Sequence, residues 1–431
     1  MTPVADRTLP FLPEAYPQVR LHLLQWAAAF PYVAWLDTCQ APQDQYGQYE
    51  LLIGVGGADT QTLRYASAGE ARSGWCMGVF PYELKNTFEP RLSTRLTPPV
   101  AVPAETLFVP QAVIARRRGA DHLEILLGDP VLPALSGIPG WPGDPDPAPD
   151  FQPLITPDAY QQAVRDIQAH IAAGDCYELN LTYAYTAQGH LADPAATFAR
   201  LTHISPVPFA AYVRLRDWHL ISASPERFLR RQGDLLVSQP IKGTAPRGAT
   251  PAEDKTLAWQ LRHSLKEQAE NVMIVDLTRN DLNRCCETDS VRVPHLFEIQ
   301  TFPTLHQMVS TITGRLRPGL GWQEILAMTF PPGSMTGAPK VRVMELIDAF
   351  EPGARGVYAG SVGYVTPAGD FDTNVIIRTL VYDRAAGHLC YQVGGAITYD
   401  SDPAQEYAET QVKAAVMRAL FAQPPSRIFR T

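Results

Sequence analysis

A single lysine, Lys242, lies in the segment SQPIKGTAPRG (238–248), between an isoleucine and a glycine. The isoleucine offers an apolar wall, and the glycine allows close backbone approach to a ligand. Burial lowers the pKa of a lysine and frees its lone pair, which is how lysines become nucleophiles or general bases. The segment therefore predicts a reactive amine with a lowered pKa. A solvated lysine at the end of a strand is the alternative.

Carboxylates occur on two predicted helices. Glu270 shares a helical face with apolar residues three, four and seven positions later, and Glu406, Glu409 and Lys413 share a face near the C-terminus. A buried carboxylate must be paired, protonated or metal-bound. If the two helices converge, their carboxylates suit Mg²⁺, which prefers oxygen ligands and keeps several waters. A partly exposed Glu270 and a surface ion pair between Glu409 and Lys413 are the alternatives.

Two glycines precede the second carboxylate helix. Gly394 and Gly395 lie in QVGGAITYDSDP (392–403) and predict a sharp turn whose N–H groups bind an anionic oxygen. A turn without a ligand is the alternative. The runs IGVGG (53–57) and GSMTGAPK (333–340) lack the spacing of nucleotide-binding loops and are interpreted as turns.

The composition limits the class of protein. The chain has 431 residues, 45% hydrophobic and 19% charged, with a formal net charge of −8. These values are typical of a compact globular protein and exclude nucleic acid as the main partner, because phosphate binding requires a basic surface. The six cysteines form no CxxC pair, which argues against a zinc site or disulfides and favours the cytoplasm. The most apolar N-terminal run, 21–36, is interrupted by Pro31, so no membrane contact is expected.

The elements that must position these residues follow a break in composition. Six prolines in 17 residues predict a stiff linker over 137–153, between an N-terminal region (1–136) and a second domain (154–425). Thr156, Thr250 and Ser264 are predicted N-caps, and a last helix is predicted from about 403 to 421. Strand-like runs mixed with helices outside a βαβ rhythm predict an α+β fold with large sheets.

Seven segments together resemble the motifs of the chorismate-utilising enzymes, over roughly residues 154 to 422. They are SPERF (224–228), PIKGTAPRG (240–248), AENVMIVDLTRNDL (269–282), PPGSMTGAPK (331–340), RGVYAGSVGY (355–364), VIIRTL (375–380) and GGAITYDSDPAQEYAET (394–410). The resemblance implies a chorismate-binding α/β sandwich, with large mixed or antiparallel sheets and helices packed outside. It also implies that 1–136 is a tryptophan-type regulatory or structural part and that 154–425 is the chorismate-binding catalytic domain. Within the family, PIKGT resembles the branch that makes aminodeoxychorismate, whereas the branch that makes anthranilate typically has alanine at the lysine position.

The resemblance implies a role for each matched residue. Lys242 would attack C2 of chorismate and displace the C4 hydroxyl, Glu226 would protonate that hydroxyl, and ammonia would then add at C4 and expel the lysine. Glu270 and Glu409 would ligate Mg²⁺, which holds the ring carboxylate, with Glu406 near or acting through water. The positions that match substrate contacts are Thr244, Tyr358, Arg378, Gly394, Gly395 and Lys413, of which Arg378 and Lys413 would meet carboxylate charge.

Two departures from the family pattern affect the expected product and the expected regulation. The HLVS motif reads HQMVS, so Gln307 takes the histidine position and His306 points to the other face if the run is a strand. Glutamine cannot transfer protons at neutral pH, which favours an enzyme that stops at 4-amino-4-deoxychorismate. The feedback motif LLES is replaced by WLDTC (35–39), which argues against tryptophan inhibition. Bound tryptophan near Pro208-Phe209 remains a candidate partner.

The nitrogen source is expected to be separate. Nothing in the sequence resembles the Cys-His-Glu set of an amidotransferase, so ammonia is expected from solution or from a glutamine amidotransferase partner. A separate lyase would complete 4-aminobenzoate, a folate precursor. The alternatives are formation of anthranilate, formation of isochorismate or salicylate with water, and a non-catalytic subunit that binds chorismate or tryptophan.

Overall fold

The computed structural model describes residues 8–39, 41, 44–70, 74–92, 96–133 and 141–422. In this part of the chain the α-helices are α1 (Tyr16–Ala27), α2 (Lys85–Phe88), α3 (Pro157–Ala172), α4 (Pro194–Ile204), α5 (Pro251–His263), α6 (Leu265–Asn283), α7 (Trp322–Thr329), α8 (Lys340–Phe350) and α9 (Pro403–Ala419).

All 22 strands of the described residues belong to two large sheets. They are β1 (Thr8–Pro10), β2 (Tyr32–Asp37), β3 (Tyr49–Gly56), β4 (Thr62–Leu63), β5 (Cys76–Phe80), β6 (Leu107–Phe108), β7 (Ala112–Arg117), β8 (His122–Leu127), β9 (Gln152–Pro153), β10 (Glu178–Gln188), β11 (Phe209–Leu215), β12 (Trp218–Ser224), β13 (Arg227–Gln232), β14 (Leu235–Gln239), β15 (Ile241–Pro246), β16 (Arg292–Thr301), β17 (Leu305–Arg315), β18 (Gly337–Ala338), β19 (Ser361–Val365), β20 (Phe371–Asn374), β21 (Thr379–Asp383) and β22 (His388–Ile397).

The first sheet, sheet I, has the order β1-β8-β7-β3-β2-β11-β12-β21-β22-β10-β18, with β9 beside β10. The second, sheet II, has the order β15-β17-β14-β13-β20-β19-β5-β6-β4, with β16 beside β17. Every pairing between these strands is antiparallel. The predicted α+β fold with large sheets is confirmed, and the described sheets are antiparallel rather than mixed.

The sheets pack face to face, and helices cover their outer faces. In β2, Val33 and Trp35 join the apolar cluster under the helices, whereas Ala34 joins the cluster between the sheets. In β5, Met77 and Val79 lie in that same inter-sheet cluster. Successive side chains of a strand point to opposite faces. Because both faces are buried here, these strands are mainly apolar, and the sequence shows apolar runs rather than alternation.

The helix starts follow from capping side chains. Thr156, Thr250 and Ser264 each accept a hydrogen bond from the backbone N–H three residues later, at 3.2, 3.3 and 3.4 Å. Each side chain satisfies one of the N–H groups that a helix start leaves free. All three predicted helix starts are confirmed, and the last helix ends at Ala419, two residues before the predicted end.

The proline-rich segment lies only partly within the described residues, which omit 137–140. From 141 to 151 it contains no helix or strand. Both sheets contain strands from before and after this segment, so the two parts of the chain share one core. The division into an N-terminal region, linker and catalytic domain stays a prediction. Within the described residues, no helix has both the length and the apolar composition needed to cross a bilayer.

Candidate active site

Lys242 lies in β15, where the register against β17 shifts between Ile241 and Thr244. Gly243 takes a φ of +86°, a backbone conformation that disfavours any residue with a side chain. The Lys242 side chain is only 11% exposed. The alternative of a solvated lysine is therefore wrong.

The protonation state of Lys242 differs from the prediction. Its Nζ donates a 2.7 Å hydrogen bond to Oε1 of Glu178. Burial alone would lower the pKa of Lys242, but the negative charges of Glu178, Glu270 and Glu226 together raise it above the ordinary lysine value. The predicted lowering of the pKa is thus wrong, because carboxylates from other elements outweigh desolvation.

Glu178, at the start of β10, is a site residue that the sequence reasoning missed. It is completely buried, and its second oxygen, Oε2, has no hydrogen-bond partner among the described residues. Its backbone is held by pairing with Ala338 of β18. A signal was present, because this carboxylate opens the otherwise uncharged run ELNLTYAYT (178–186), and a charge in a buried strand needs a partner.

Glu226 lies between β12 and β13 and is 4% exposed. Burial raises the pKa of its carboxyl to about 7, although Ser334, Lys242 and a hydrogen bond from the Ile241 backbone each oppose the shift. The Ser334 hydroxyl donates to Oε1 at 2.5 Å. The predicted buried carboxyl with raised pKa is confirmed, and its pKa suits proton donation near neutral pH. Ser334 is a second residue that the sequence reasoning did not identify.

The carboxylate of Glu270 on α6 is 16% exposed and lies 3.9 Å from Nζ of Lys266. Burial raises its pKa to about 7, and the charges of Glu178 and Glu267 add to that rise. On α9, burial and the neighbouring Glu409 raise the pKa of Glu406, whose Oε1 accepts a 2.8 Å hydrogen bond from Ser401. Both helices therefore carry carboxylates with too little compensating positive charge.

Glu409 and Lys413 form an ion pair of 2.7 Å and are 51% and 43% exposed. Burial would raise the pKa of Glu409, but Lys413, Lys266 and Lys242 together lower it. The influence of Lys266 and Lys242 on a residue of α9 indicates that α6, β15 and α9 face one common region. The Glu409–Lys413 ion pair that the sequence spacing offered as an alternative is therefore present. Nζ of Lys413 and Oε2 of Glu406 both lie near Gly395.

A magnesium site was predicted from Glu270, Glu409 and Glu406. Among the described residues, no three His, Cys, Asp or Glu side chains already form a group that could hold a metal ion. The donors nevertheless fit a hard cation that keeps waters, because they are carboxylate oxygens, with raised pKa values at Glu270 of α6 and Glu406 of α9.

Gly394 and Gly395 lie inside β22, so the prediction that they form a sharp turn is wrong. They pair with Thr182 and Leu181 of β10. A Cβ on Gly395 would lie 3.3 Å from Oε2 of Glu406 and 3.8 Å from Nζ of Lys413, so this glycine leaves space beside the carboxylates. Lys413 also donates a 2.8 Å hydrogen bond to the carbonyl of Gly394.

Arg378 has a positive φ of 50°, which is uncommon for a residue with a side chain. Its guanidinium forms no hydrogen bond or ion pair with any residue that the structure describes. Burial lowers its pKa, while Glu226 and Tyr358 act in the opposite direction. Tyr358 is 7% exposed, and burial raises the pKa of its hydroxyl. Thr244, in contrast, is exposed on β15.

His306 and Gln307 occupy opposite faces of β17, as predicted. His306 shares hydrogen bonds of 2.9 Å with Thr301 and Asp254. Gln307 pairs with Thr244 of β15, is 1% exposed, and leaves its Oε1 without a hydrogen-bond partner among the described residues.

A separate cavity lies beside the WLDTC stretch. Its lining includes Asp37, Thr38, Pro208 and Phe209. The WLDTC stretch and the Pro208-Phe209 step, both considered above in connection with tryptophan, therefore border the same cavity. Arg227 also lines it and forms ion pairs with the buried Asp44 and the partly buried Asp372. Tryptophan binding there stays a prediction.

Comparison with protein families gives a match to the model described as chorismate binding enzyme, over residues 56–419. The matched region contains every residue of the candidate site and most of the strands of both sheets.

Two relatives show how similar the chain is to characterised sequences. The aminodeoxychorismate synthase of Streptomyces griseus is 41% identical over 377 residues, 82% of this chain and 51% of that protein. The aminodeoxychorismate synthase component 1 of Klebsiella aerogenes is 46% identical over 252 residues, 58% of this chain and 55% of that protein. The chain thus spans about half the length of these curated relatives.

Among solved structures, anthranilate synthase component I from Streptococcus pneumoniae TIGR4 matches with a TM-score of 0.73 and 25% identity. The superposition covers 97% of this chain and 93% of that one. The two-sheet architecture therefore extends over nearly the whole chain, including the strands before the proline-rich segment.

Proposed function

The chain belongs to the chorismate-binding enzyme family, and on that premise we propose that it converts chorismate and ammonia to 4-amino-4-deoxychorismate. The observation that carries the proposal is the buried amine of Lys242 in the same site as the buried acid Glu226. Relatives whose names state this activity are 41% and 46% identical to the chain. A subunit that only bound chorismate would need neither a buried nucleophile nor a proton donor.

Lys242 acts at C2 of chorismate, and Glu226 acts at the oxygen on C4. Lys242 attacks C2, the electrons of the diene shift, and the C4–O bond breaks. Glu226 delivers its proton to the departing oxygen, which leaves as water. A carboxyl with a pKa of about 7 is well matched to donation at neutral pH, because both protonation states are populated.

The carboxylates of chorismate need positive partners. Because the chain has a net charge of −8, these must be individual cations at the site. Arg378 is a partly buried cation with no hydrogen-bond or ion-pair partner among the described residues, so it is available for a substrate carboxylate. We propose that Glu270 and Glu409 hold Mg²⁺, with Glu406 nearby or acting through water. When bound, the metal would neutralise the ring carboxylate of chorismate. Lys413 and the N–H groups at Gly394 and Gly395 would border the same region.

A glutamine amidotransferase subunit is proposed as the ammonia source. The Klebsiella aerogenes relative is named component 1, which is consistent with a second component in that system. The product would feed 4-aminobenzoate formation, in the cytoplasm.

The product identity tests the proposal. Purified protein is incubated with chorismate, Mg²⁺ and ammonium, and the products are separated by chromatography. Aminodeoxychorismate is expected; anthranilate, isochorismate or salicylate would replace the proposal with the corresponding alternative, and no turnover would favour a binding subunit.

A matched pair of variants tests the nucleophile. Lys242→Ala is expected to abolish or divert amination, whereas Lys255→Ala, at an exposed position of α5, is expected to leave it unchanged. Unchanged aminodeoxychorismate production by Lys242→Ala would remove Lys242 from the mechanism.

A further inference from the structure

We propose that Glu178 accepts the proton that Lys242 must lose before its amine attacks, so that the two residues act as one nucleophile–base pair. The inference rests on the proposed function and adds a catalytic residue to it. A lysine that forms a carbon–nitrogen bond must be uncharged, yet this lysine is surrounded by carboxylates that favour its charged form. A nearby proton acceptor resolves this conflict.

The geometry singles out Glu178 as that acceptor. Its Oε1 lies 2.7 Å from Nζ of Lys242, which is within reach for direct proton transfer. The side chains are 1% and 11% exposed, so bulk water has little access to the pair. Oε2 of Glu178 is buried and has no hydrogen-bond partner among the described residues, so nothing on that oxygen competes for the charge.

Other carboxylates influence Lys242 without contacting it. Glu226, Glu270 on α6 and Glu409 on α9 act on its charge. Among the described residues, only Glu178 is within ion-pair distance of its Nζ. Neither Glu178 nor Lys242 forms a hydrogen bond or ion pair with Glu270 or Glu409, whose ion-pair partners are Lys266 and Lys413.

The backbone fixes the acceptor in place. Glu178 pairs with Ala338 of β18, and the next residue, Leu179, pairs with both Gly337 of β18 and Ile397 of β22. Lys242 comes from β15 in sheet II, whereas Glu178 comes from sheet I. The hydrogen bond therefore joins the two sheets at the site, and each partner is held by its own sheet.

The proton balance closes over one catalytic cycle. The proton moves from Nζ of Lys242 to Oε1 of Glu178, and the freed electron pair forms the bond to C2. The C4–O bond breaks, and the oxygen leaves as water with the proton of Glu226. Ammonia then attacks C4, the C2–N bond breaks, and its electron pair returns to Nζ. Glu178 gives its proton back to the lysine, and the new C4 ammonium gives one proton to Glu226.

Substitution of the acceptor tests the pair. The variants Glu178→Gln and Glu178→Asp are compared with the unchanged protein by kcat for aminodeoxychorismate across the neutral pH range. The concentration of free NH₃ is held constant at each pH, and the ratio of rates cancels the ionisation of Glu226 that all three proteins share. Glu178→Gln is expected to lose about 10²–10⁴-fold at the acidic end. The loss should shrink as pH rises, because Lys242 must then release its proton to solvent.

Glu178→Asp retains a carboxylate and is expected to keep the pH dependence of the unchanged protein at a lower rate. It also keeps the test valid if Glu178→Gln fails to fold. The inference would be overturned if Glu178→Gln lost the same fraction of kcat at every pH. It would also be overturned if kcat of Glu178→Asp depended on pH in the same way as kcat of Glu178→Gln. A residue that only positions Lys242 gives these results.

A second readout requires neither chorismate nor metal. Labelling of Lys242 by an amine-reactive reagent is followed by peptide mass spectrometry at several pH values. Glu178→Gln should label at lower pH than the unchanged protein, because the carboxylate that favours the protonated amine is gone. Unchanged labelling would overturn the inference. Failure of the unchanged protein to make aminodeoxychorismate would instead overturn the proposed function, while the labelling still reports whether Glu178 controls the proton of Lys242.

Discussion

The hydroxyl of Ser334 donates a 2.5 Å hydrogen bond to Oε1 of Glu226, although 108 residues separate the two in sequence. The bond links the PPGSMTGAPK segment to the SPERF segment. It favours the charged form of the carboxylate and so limits how far burial raises the pKa of Glu226.

Ser334→Ala is expected to move the alkaline limb of the pH–rate profile upward. Loss of the donor raises the pKa of Glu226 above about 7, so the protonated acid persists to higher pH. A hydrogen bond to a charged group is worth about 1.5–3 kcal/mol, which corresponds to a shift of about one pH unit or more. The measurement is kcat against pH at constant free NH₃. If the alkaline limb of the profile does not move in Ser334→Ala, a group other than Glu226 is responsible for that limb.

Glu226→Gln is expected to stabilise the fold at alkaline pH while abolishing proton donation. Burial raises the folded-state pKa of Glu226 to about 7 from an ordinary value of 4.5, so the folded state binds more protons between these values. Stability is therefore present below the unfolded-state pKa and is lost as pH rises through the folded-state value. The loss amounts to about 3 kcal/mol.

Urea unfolding near pH 5 and near pH 8 checks this prediction. The unchanged protein should lose more stability between the two pH values than Glu226→Gln, and the variants should differ little at the lower pH. Glu345→Gln, on the surface of α8 and paired with Arg342, is the control and should leave the pH dependence unchanged. Equal slopes for Glu226→Gln and the unchanged protein would contradict the raised pKa.

Local features of the fold could be predicted because their causes lie within a few residues. Thr156, Thr250 and Ser264 satisfy N–H groups three positions away, so the helix starts follow from sequence. Glu226 was placed by a resemblance of motif, and its burial agrees with the acid role. The strands could be expected, but their order could not, because pairings such as β2 with β11 join residues far apart in the chain.

The remaining features depend on contacts across the fold. Lys242 was expected to have a lowered pKa because its sequence neighbours are apolar, but Glu178, 64 residues earlier, reverses the direction. Gly394 and Gly395 were expected in a turn because paired glycines favour turns. They lie in a strand that pairs with β10, where Gly394 has no room for a side chain against β10 and Gly395 faces Glu406 and Lys413.

The two glycines of β22 should respond differently to alanine. A Cβ on Gly394 would lie 2.3 Å from the carbonyl oxygen of Leu181, so Gly394→Ala must displace β10 and is expected to destabilise the fold by about 1–3 kcal/mol. A Cβ on Gly395 would lie 3.3 Å from Oε2 of Glu406, so Gly395→Ala should retain stability but raise KM for chorismate. Thermal unfolding and steady-state kinetics separate the two, and equal loss of stability would contradict the assignment of Gly395 to the site.

The proposed magnesium ligands predict a graded response to removal of single charges. Glu270→Gln and Glu409→Gln each remove an anionic oxygen from the cluster and are expected to weaken Mg²⁺ binding by about tenfold or more. Glu406→Gln should have a smaller effect, because Oε1 of Glu406 already accepts a hydrogen bond from Ser401. The increase in melting temperature on addition of Mg²⁺, with and without chorismate, measures the binding, and Glu345→Gln is again the control. If all three ligand variants respond to Mg²⁺ as the unchanged protein does, the metal lies elsewhere.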